Sequence, residues 1–288
     1  MIKEENLTII QAMERSTAYL EKYGVDQPKK DAEWIIAHVL GCGRLDLYLR
    51  YGEFIPENQI LTLRDLIMQR AKRMPLQYLL KEVDFAEIRL KVDRRALIPR
   101  PETELLTELI CTRLGNDFTG KIADLGTGTG AIILALCHQL KQAEGIGFEK
   151  FESTISLFKE NITLNNLNDR VKPVQFDWHQ DKMPPNEYQL VISNPPYLTQ
   201  QEWEDTVPEV KEHEPINALI SEKNGFADID KIIGIAKKNL PLGGILSLEI
   251  GVGQSEQVKT LLKDSFEVDI KKDYHRKDRF VIAKKIKS

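Results

Sequence analysis

Ile122-Ala123-Asp124-Leu125-Gly126-Thr127-Gly128-Thr129-Gly130-Ala131 is the stretch on which the reading of the fold turns. Ile122 to Leu125 form a short apolar-rich run, read as a strand, and Ala131 to Leu140 form an apolar helix. A glycine-rich turn between strand and helix lets backbone approach a ligand closely and aims helix N–H groups at it. The spacing is G-x-G-x-G rather than the G-x-G-x-x-G of dinucleotide sites, so the glycines gain meaning only from the next strand. Gly145 to Glu149 read as that second strand, ending in an acid, and Glu149 lies 19 residues past Gly130. That is where an acid reaches a ribose diol in doubly wound folds, so a nucleoside-type cofactor is expected. Asp124, at the end of the first strand, is expected to order the glycine turn.

The pattern continues downstream. Ser153 to Leu164 read as a helix and Val171 to Phe176 as a third strand, followed by Asp177-Trp178. Trp178 can stack on an adenine or serve as ordinary core or surface. Leu190 to Ser193 read as a fourth buried strand, stopped by Asn194-Pro195-Pro196-Tyr197. Two prolines cannot donate to a sheet ladder, and the residue before a proline is pushed to an extended conformation. The product is a stiff loop at the carboxyl end of a strand. It is either a plain strand-ending turn or a holder for a planar –NH2 group. In the second reading the Asn194 side-chain oxygen and the Pro195 carbonyl each accept one N–H, and Tyr197 covers a flat substrate face. Such a loop lies at the switch point beside the first strand, where open α/β sheets bind ligands.

Beyond the loop, Glu202 to Lys211 read as acidic and irregular, a candidate flap. Ile229 to Leu240 read as a helix, Ile245 to Ile250 as a buried strand, Val258 to Leu262 as a helix, and Phe266 to Ile270 and Phe280 to Ala283 as two last strands. Residues 271–288 carry eight Lys/Arg against two Asp, read as a lysine-protected sheet edge and tail. Upstream, Pro101 opens a helix continued by Leu105, Leu106 and Leu109. Arg100 and Glu102 either cap that helix or line the site. Residues 76–98 alternate as a β-hairpin linker, although Ala86-Glu87 lacks the glycine such a turn favours. Residues 5–75 read as helices. The apolar stripes are Ile10, Met13, Thr17 and Leu20, then Ala32, Ile35, Ile36, Val39 and Leu40, then Ile60, Leu63, Ile67 and Ala71. Trp34 and His38 read as core packing. The expected division is a helical domain over 1–75, a linker over 76–98 and an α/β domain over 99–288.

The 288 residues carry a net charge of −4 and 42% hydrophobic residues, enough for a sizeable core and without a global field that favours nucleic acid. Cys42, Cys111 and Cys137 form no CxxC and the histidines are scattered, so buried free thiols and no metal site are expected. MIKEENLTII lacks the form of a signal peptide, and the longest apolar run, Ala131 to Cys137, is too short to span a bilayer. A cytoplasmic protein is expected.

Five stretches together resemble the release-factor glutamine N5-methyltransferases, the PrmC or HemK family. They are Leu97-Ile98-Pro99-Arg100-Pro101-Glu102-Thr103-Glu104, Asp124 to Ala131, Asn194 to Tyr197, Glu214-Pro215, and Leu248-Glu249-Ile250-Gly251. The Asn194 loop alone is shared with DNA adenine and rRNA guanine methyltransferases; the stretch from Leu97 is more specific. The resemblance implies a class I S-adenosylmethionine fold with seven mostly parallel strands. It places Gly126, Thr127, Gly128, Thr129 and Gly130 around the methionine part of S-adenosyl-L-methionine, Glu149 on the ribose and Trp178 by the adenine. Asn194 is shared by cofactor and substrate. Asn194, Pro195, Pro196 and Tyr197 would hold the glutamine of a Gly-Gly-Gln motif in class I release factors, with Asn194, Pro195 and Tyr197 at the chemistry. The family usually has Asp where this chain has Glu149. The helical domain would dock the release factor. The rival readings are a nucleic-acid amine methyltransferase and a non-catalytic cofactor-binding module; the intact Asn194 speaks against the second.

Overall fold

A computed structural model describes residues 7–184 and 187–287. Residues 1–6, which begin the N-terminal stretch without signal-peptide form, and Ser288 lie outside the described residues. The chain divides into two compact units: Met1–Lys81 together with Val207–His213, and Glu82–Thr206 together with Glu214–Ser288.

The first unit is helical. Helices Ile9–Lys22, Pro28–Leu40 and Glu57–Ala71 surround a core of Ile9, Leu20, Ile35, Ile36, Leu63 and Ile67. Thr8 starts the first helix with a capping box shared with Gln11, and Gly41, in the left-handed region, ends the second. The apolar stripes fall where expected, with two corrections. In the first helix the buried face is Ile9, Ala12, Met13, Ser16 and Leu20, and Ile10 is exposed. Trp34 and His38 are exposed rather than core, and the Arg44 guanidinium lies over the Trp34 ring. A further short helix, Leu76–Leu80, falls inside the stretch read as hairpin.

Helix Pro208–His213 also belongs to this unit. Its Glu209 carboxylate takes hydrogen bonds from Arg70 and Arg73, and Arg70 also reaches Asp31 at 2.6 Å. Arg70 and Asp31 are both buried, so the network has its charges matched where water cannot screen them. The stretch expected to be irregular is thus two short helices, Gln200–Glu204 and Pro208–His213.

The second unit opens with a hairpin, β1 (Glu82–Phe85) and β2 (Ile88–Lys91). Its two-residue turn places Ala86 and Glu87 at φ 42° and 69°. A turn with two positive φ values suits Asn-Gly, and this chain makes it without glycine. The main sheet contains β3 (Lys121–Leu125), β4 (Glu144–Glu149), β5 (Val171–Gln175), β6 (Tyr188–Ser193), β7 (Ile245–Glu249), β8 (Phe266–Lys272) and β9 (Asp278–Lys285). The order is β5-β4-β3-β6-β7-β9-β8, parallel except for β9, which runs antiparallel to both neighbours.

Strand alternation feeds two cores. Ile122 of β3 packs on one face with helix Ala131–Gln139, Leu106 and Ile110 of helix Pro101–Leu114, and the hairpin residues Phe85, Ile88 and Leu90. Ala123 and Leu125 pack on the other face with Ile229, Ile232 and Ile233 of helix Ala227–Asn239, and with Val258 and Leu262 of helix Ser255–Leu262. The edge strand β8 ends in half-buried Lys271 and exposed Lys272, in line with the tail reading, but Lys285 is buried. Its ammonium donates to the carbonyls of Lys237 and Leu240, capping the end of helix Ala227–Asn239. No helix among the described residues is long and apolar enough to cross a membrane.

Candidate active site

β3 and β6 are neighbours, so the glycine turn and the Asn194 loop emerge side by side at the carboxyl edge of the sheet. The Ser193 hydroxyl donates to the Leu125 carbonyl, fastening the two strand ends together. A cavity of about 690 Å³ opens there, a size that suits a nucleoside-type ligand. Its wall includes Gly126 to Thr129, Glu149, Trp178, Asn194, Pro196, Arg100 and Thr103. Pro195 and Tyr197 are not among its lining residues.

The glycines are needed for two separate reasons. Gly126 has φ 74°, and a Cβ there would meet the Trp178 ring at 3.1 Å. Gly130 has φ 86°, and a Cβ would collide with Phe158 at 2.3 Å. Gly130 starts helix Ala131–Gln139, whose first residues Ala131 and Ile132 line the cavity. Asp124 is fully buried and accepts the Thr127 hydroxyl at 2.6 Å, which orders the turn as expected. Burial pushes its carboxyl up to about 7, against the opposing Thr127 hydrogen bond.

Glu149 ends β4 on the cavity wall. Its carboxylate accepts backbone N–H groups from Gly128, Lys150 and Phe151 at 3.2, 2.8 and 3.1 Å. Burial raises its pKa even so. Trp178 is held by its indole N–H, which donates to Asp228 at 2.7 Å; His179 meets the same oxygen at 2.9 Å.

The Asn194 loop is braced from behind. Asn194 Nδ2 donates to Thr103 Oγ1 at 3.1 Å, and that hydroxyl donates to Glu249 Oε2 at 2.8 Å. The Tyr197 hydroxyl donates to Glu249 Oε1 at 3.2 Å, and the Arg279 guanidinium lies 5.6 Å from the centre of the Tyr197 ring. Gln254 donates to the carbonyls of Tyr197 and Gly225 and accepts the Gly251 N–H. The Tyr197 hydroxyl is thereby engaged in holding the loop. Burial pushes the Tyr197 and Glu249 pKa values up. Arg100 lines the cavity and pairs at 2.7 Å with buried Glu214, which also accepts the Ile98 N–H.

Sequence reasoning brought together Gly126, Thr127, Gly128, Thr129, Glu149, Trp178 and Asn194, which the cavity wall unites. It assigned no role to Thr103, Asp228, Gln254 or Glu249. Glu249 left a clear signal, as an acid in a buried strand whose other residues are apolar except Ser247.

The fold and the site define a class I methyltransferase. The family profile described as "PrmC N-terminal domain" matches residues 11–80, and that described as "Methyltransferase small domain" matches residues 101–212. A release factor glutamine methyltransferase of Fusobacterium nucleatum subsp. nucleatum is 36% identical over 98% of this chain and 80% of its own. Proteins of the same name from Thermodesulfovibrio yellowstonii (36%, covering 90% and 93%) and Deinococcus radiodurans (35%, 94% and 96%) are similar over most of both chains. The chain belongs to the release factor glutamine methyltransferase family. Among solved structures, the hMettl16 catalytic domain in complex with an RNA hairpin shares the fold. The TM-score is 0.56 at 20% identity, covering 77% of this chain and 80% of that one. A methyltransferase from Pyrococcus furiosus shares it at 0.50 and 17%, covering 68% and 88%.

Proposed function

We propose that this protein methylates the side-chain amide nitrogen (N5) of the glutamine in the Gly-Gly-Gln motif of class I peptide chain release factors, in the cytoplasm. S-adenosyl-L-methionine would be the methyl donor. The observation that carries the reading is the Asn194 amide, tethered by Nδ2 on the cavity wall beside the glycine turn. Family membership supports the substrate.

The residues present fit the cofactor. Gly126 and Gly128 present bare backbone on the cavity wall, a Cβ on Gly126 would meet the Trp178 ring that also lines it, and Glu149 puts a carboxylate on the wall at the next strand end. Gly126 to Gly130 would hold the methionine part, Glu149 the ribose hydroxyls and Trp178 the adenine, with Asn194 between cofactor and substrate. Glu149 Oε2 takes only the Gly128 N–H, so the carboxylate keeps one lone pair for a ribose hydroxyl after its three backbone contacts. Bound there, the cofactor supplies an electrophilic methyl group on a sulfonium.

An amide nitrogen is a poor nucleophile, because its lone pair is delocalised into the carbonyl. This chain's contribution is placement. Asn194 Oδ1 and the Pro195 carbonyl each accept one N–H of the substrate, which turns the remaining face of the nitrogen toward the donor. The same two acceptors stabilise positive charge growing on that nitrogen. No side chain needs to deprotonate the amide first; the proton leaves afterwards, to water. Pro195 and Pro196 keep the loop stiff, and the contacts of Tyr197 and Gln254 keep it in place.

The helical unit supplies none of the cavity-lining residues and presents large exposed apolar side chains at Leu45, Leu49, Phe54 and Leu61. In this reading the unit recognises the body of the release factor. A tripeptide motif offers little surface, and a stable protein contact needs about 800 Å² per partner. Tritiated cofactor offered with release factor, RNA, DNA or no acceptor tests the proposal. Label in the release factor alone is expected. Label in nucleic acid would transfer the site to a base-amine methyltransferase.

A further inference from the structure

We propose that Glu249 and Thr103 form a hydrogen-bond relay that decides which end of the Asn194 amide faces the substrate, making both positioning residues for methyl transfer. The inference rests on the reading of Asn194 as the acceptor of the substrate amide.

An asparagine side chain has two ends of nearly equal shape and opposite hydrogen-bonding character. Half a turn about its last torsion exchanges them. A substrate –NH2 requires the oxygen; presented with the other end, two –NH2 groups would meet. Something must therefore set the polarity, and the structure holds a directional chain that does so. An ionised carboxylate only accepts. Thr103 has a single hydroxyl proton, and it is committed to Glu249 Oε2 at 2.8 Å. Toward Asn194 the hydroxyl can then only accept, and the group it faces at 3.1 Å is Nδ2. Oδ1 is the end left to offer.

The anchor of the chain is itself held. Glu249 is 1% exposed at the end of β7, and Tyr197 donates to its other oxygen. The groups facing Glu249 are Thr103, Tyr197, Arg279 and, at longer range, Glu102. Burial raises its pKa most, and Arg279, Thr103 and Tyr197 act the other way. Protonated, Glu249 could donate to Thr103, which could then donate to Asn194 Oδ1 and leave the –NH2 end for the substrate. The relay would run backwards and hold the wrong group. Thr103 comes from the start of helix Pro101–Leu114, Asn194 from the end of β6 and Glu249 from the end of β7, so the polarity exists only in the folded unit.

The test uses the full-length enzyme and an intact release factor, with Thr103→Val, Thr103→Ser and Glu249→Gln. Valine keeps the shape of threonine and removes the hydroxyl. Thr103→Val should bind cofactor within about twofold of wild type by calorimetry and leave KM for the release factor nearly unchanged, while kcat falls roughly 10²-fold, as for a lost positioned polar group. Thr103→Ser should recover most of that loss. Glu249→Gln should lower kcat and abolish the acid limb of the wild-type kcat profile. A Thr103→Val enzyme with wild-type kcat overturns the relay, as does a Thr103→Ser enzyme no better than the valine variant. If Thr103→Val does not fold, the serine variant and the acid limb of Glu249→Gln decide: an acid limb retained in Glu249→Gln also overturns it. A wild-type enzyme inactive on every release factor would instead overturn the function itself.

Discussion

Asn194 and Asp124 show how a single side chain can be fixed by its surroundings. Replacing Asn194 by Ala should lower kcat by roughly 10²–10³, the scale for one positioned polar group at a reacting centre, and weaken cofactor binding less. Steady-state kinetics on the intact release factor, with calorimetry for the cofactor, check it. Glu149→Ala should raise the cofactor dissociation constant at least about tenfold, because charge-assisted hydrogen bonds contribute about 1.5–3 kcal/mol. Asp124 carries a pH signature. Its ordinary value is 3.8 and folding pushes it up to about 7, so between those values the native chain keeps a proton that the unfolded chain has lost. Stability should therefore fall as pH rises through that window. Asp124→Asn retains an acceptor for Thr127 and should remove this part of the slope. Melting curves at about pH 5 and about pH 7.5 should show wild type losing more stability than the variant. Asn194 was legible in the sequence because two prolines come directly after it. Thr103 was not, because its role depends on three separate elements meeting.

At the scale of elements, the central strands were legible as short continuous apolar runs, because both of their faces are buried, the hairpin strand β2 by its alternation, and the helices by apolar residues near every fourth position. The short helices after the Asn194 loop were not. Gln200–Glu204 has no buried residue and is set by the capping box between Thr199 and Glu202. Pro208–His213 is secured by arginines far away in sequence, Arg70 and Arg73. Glu209→Ala should take the shared carboxylate from both arginines while Arg70 keeps Asp31, and destabilise the helical unit by about 1.5–3 kcal/mol, the scale of a hydrogen bond to a charged group. Chemical denaturation followed by circular dichroism reads this directly. The β1–β2 turn supplies a test of opposite sign. Ala86→Asn with Glu87→Gly should raise stability by roughly 1 kcal/mol, since left-handed backbone is strained for ordinary residues and the turn prefers Asn-Gly. An unchanged melting temperature would mean that the turn is not strained.

At the scale of the whole chain, the sequence reading placed one boundary near residue 75 and a linker up to residue 98. The first compact unit instead runs to Lys81 and takes Val207–His213 from the middle of the later sequence. A segment of seven polar-rich residues carries no periodic mark of the unit to which it belongs. Truncating at residue 75 would strip that segment of its partners, so surface substitutions test docking more cleanly. Leu45→Ser with Leu49→Ser, both highly exposed, should raise KM for the intact release factor and leave a short Gly-Gly-Gln peptide equally poor as a substrate. An unchanged KM would take those two side chains out of the docking surface.

The claim that the Asn194 loop presents a protein glutamine to a methyl donor is tested most directly by where the methyl group goes. The enzyme is incubated with S-adenosyl-L-methionine and an intact class I release factor, and the Gly-Gly-Gln peptide is sequenced by fragmentation mass spectrometry. One methyl group on the glutamine side-chain amide is expected with wild type, and almost none in the same time with Asn194→Ala. A methyl group on another residue, or equal modification by the Asn194→Ala enzyme, would contradict the claim.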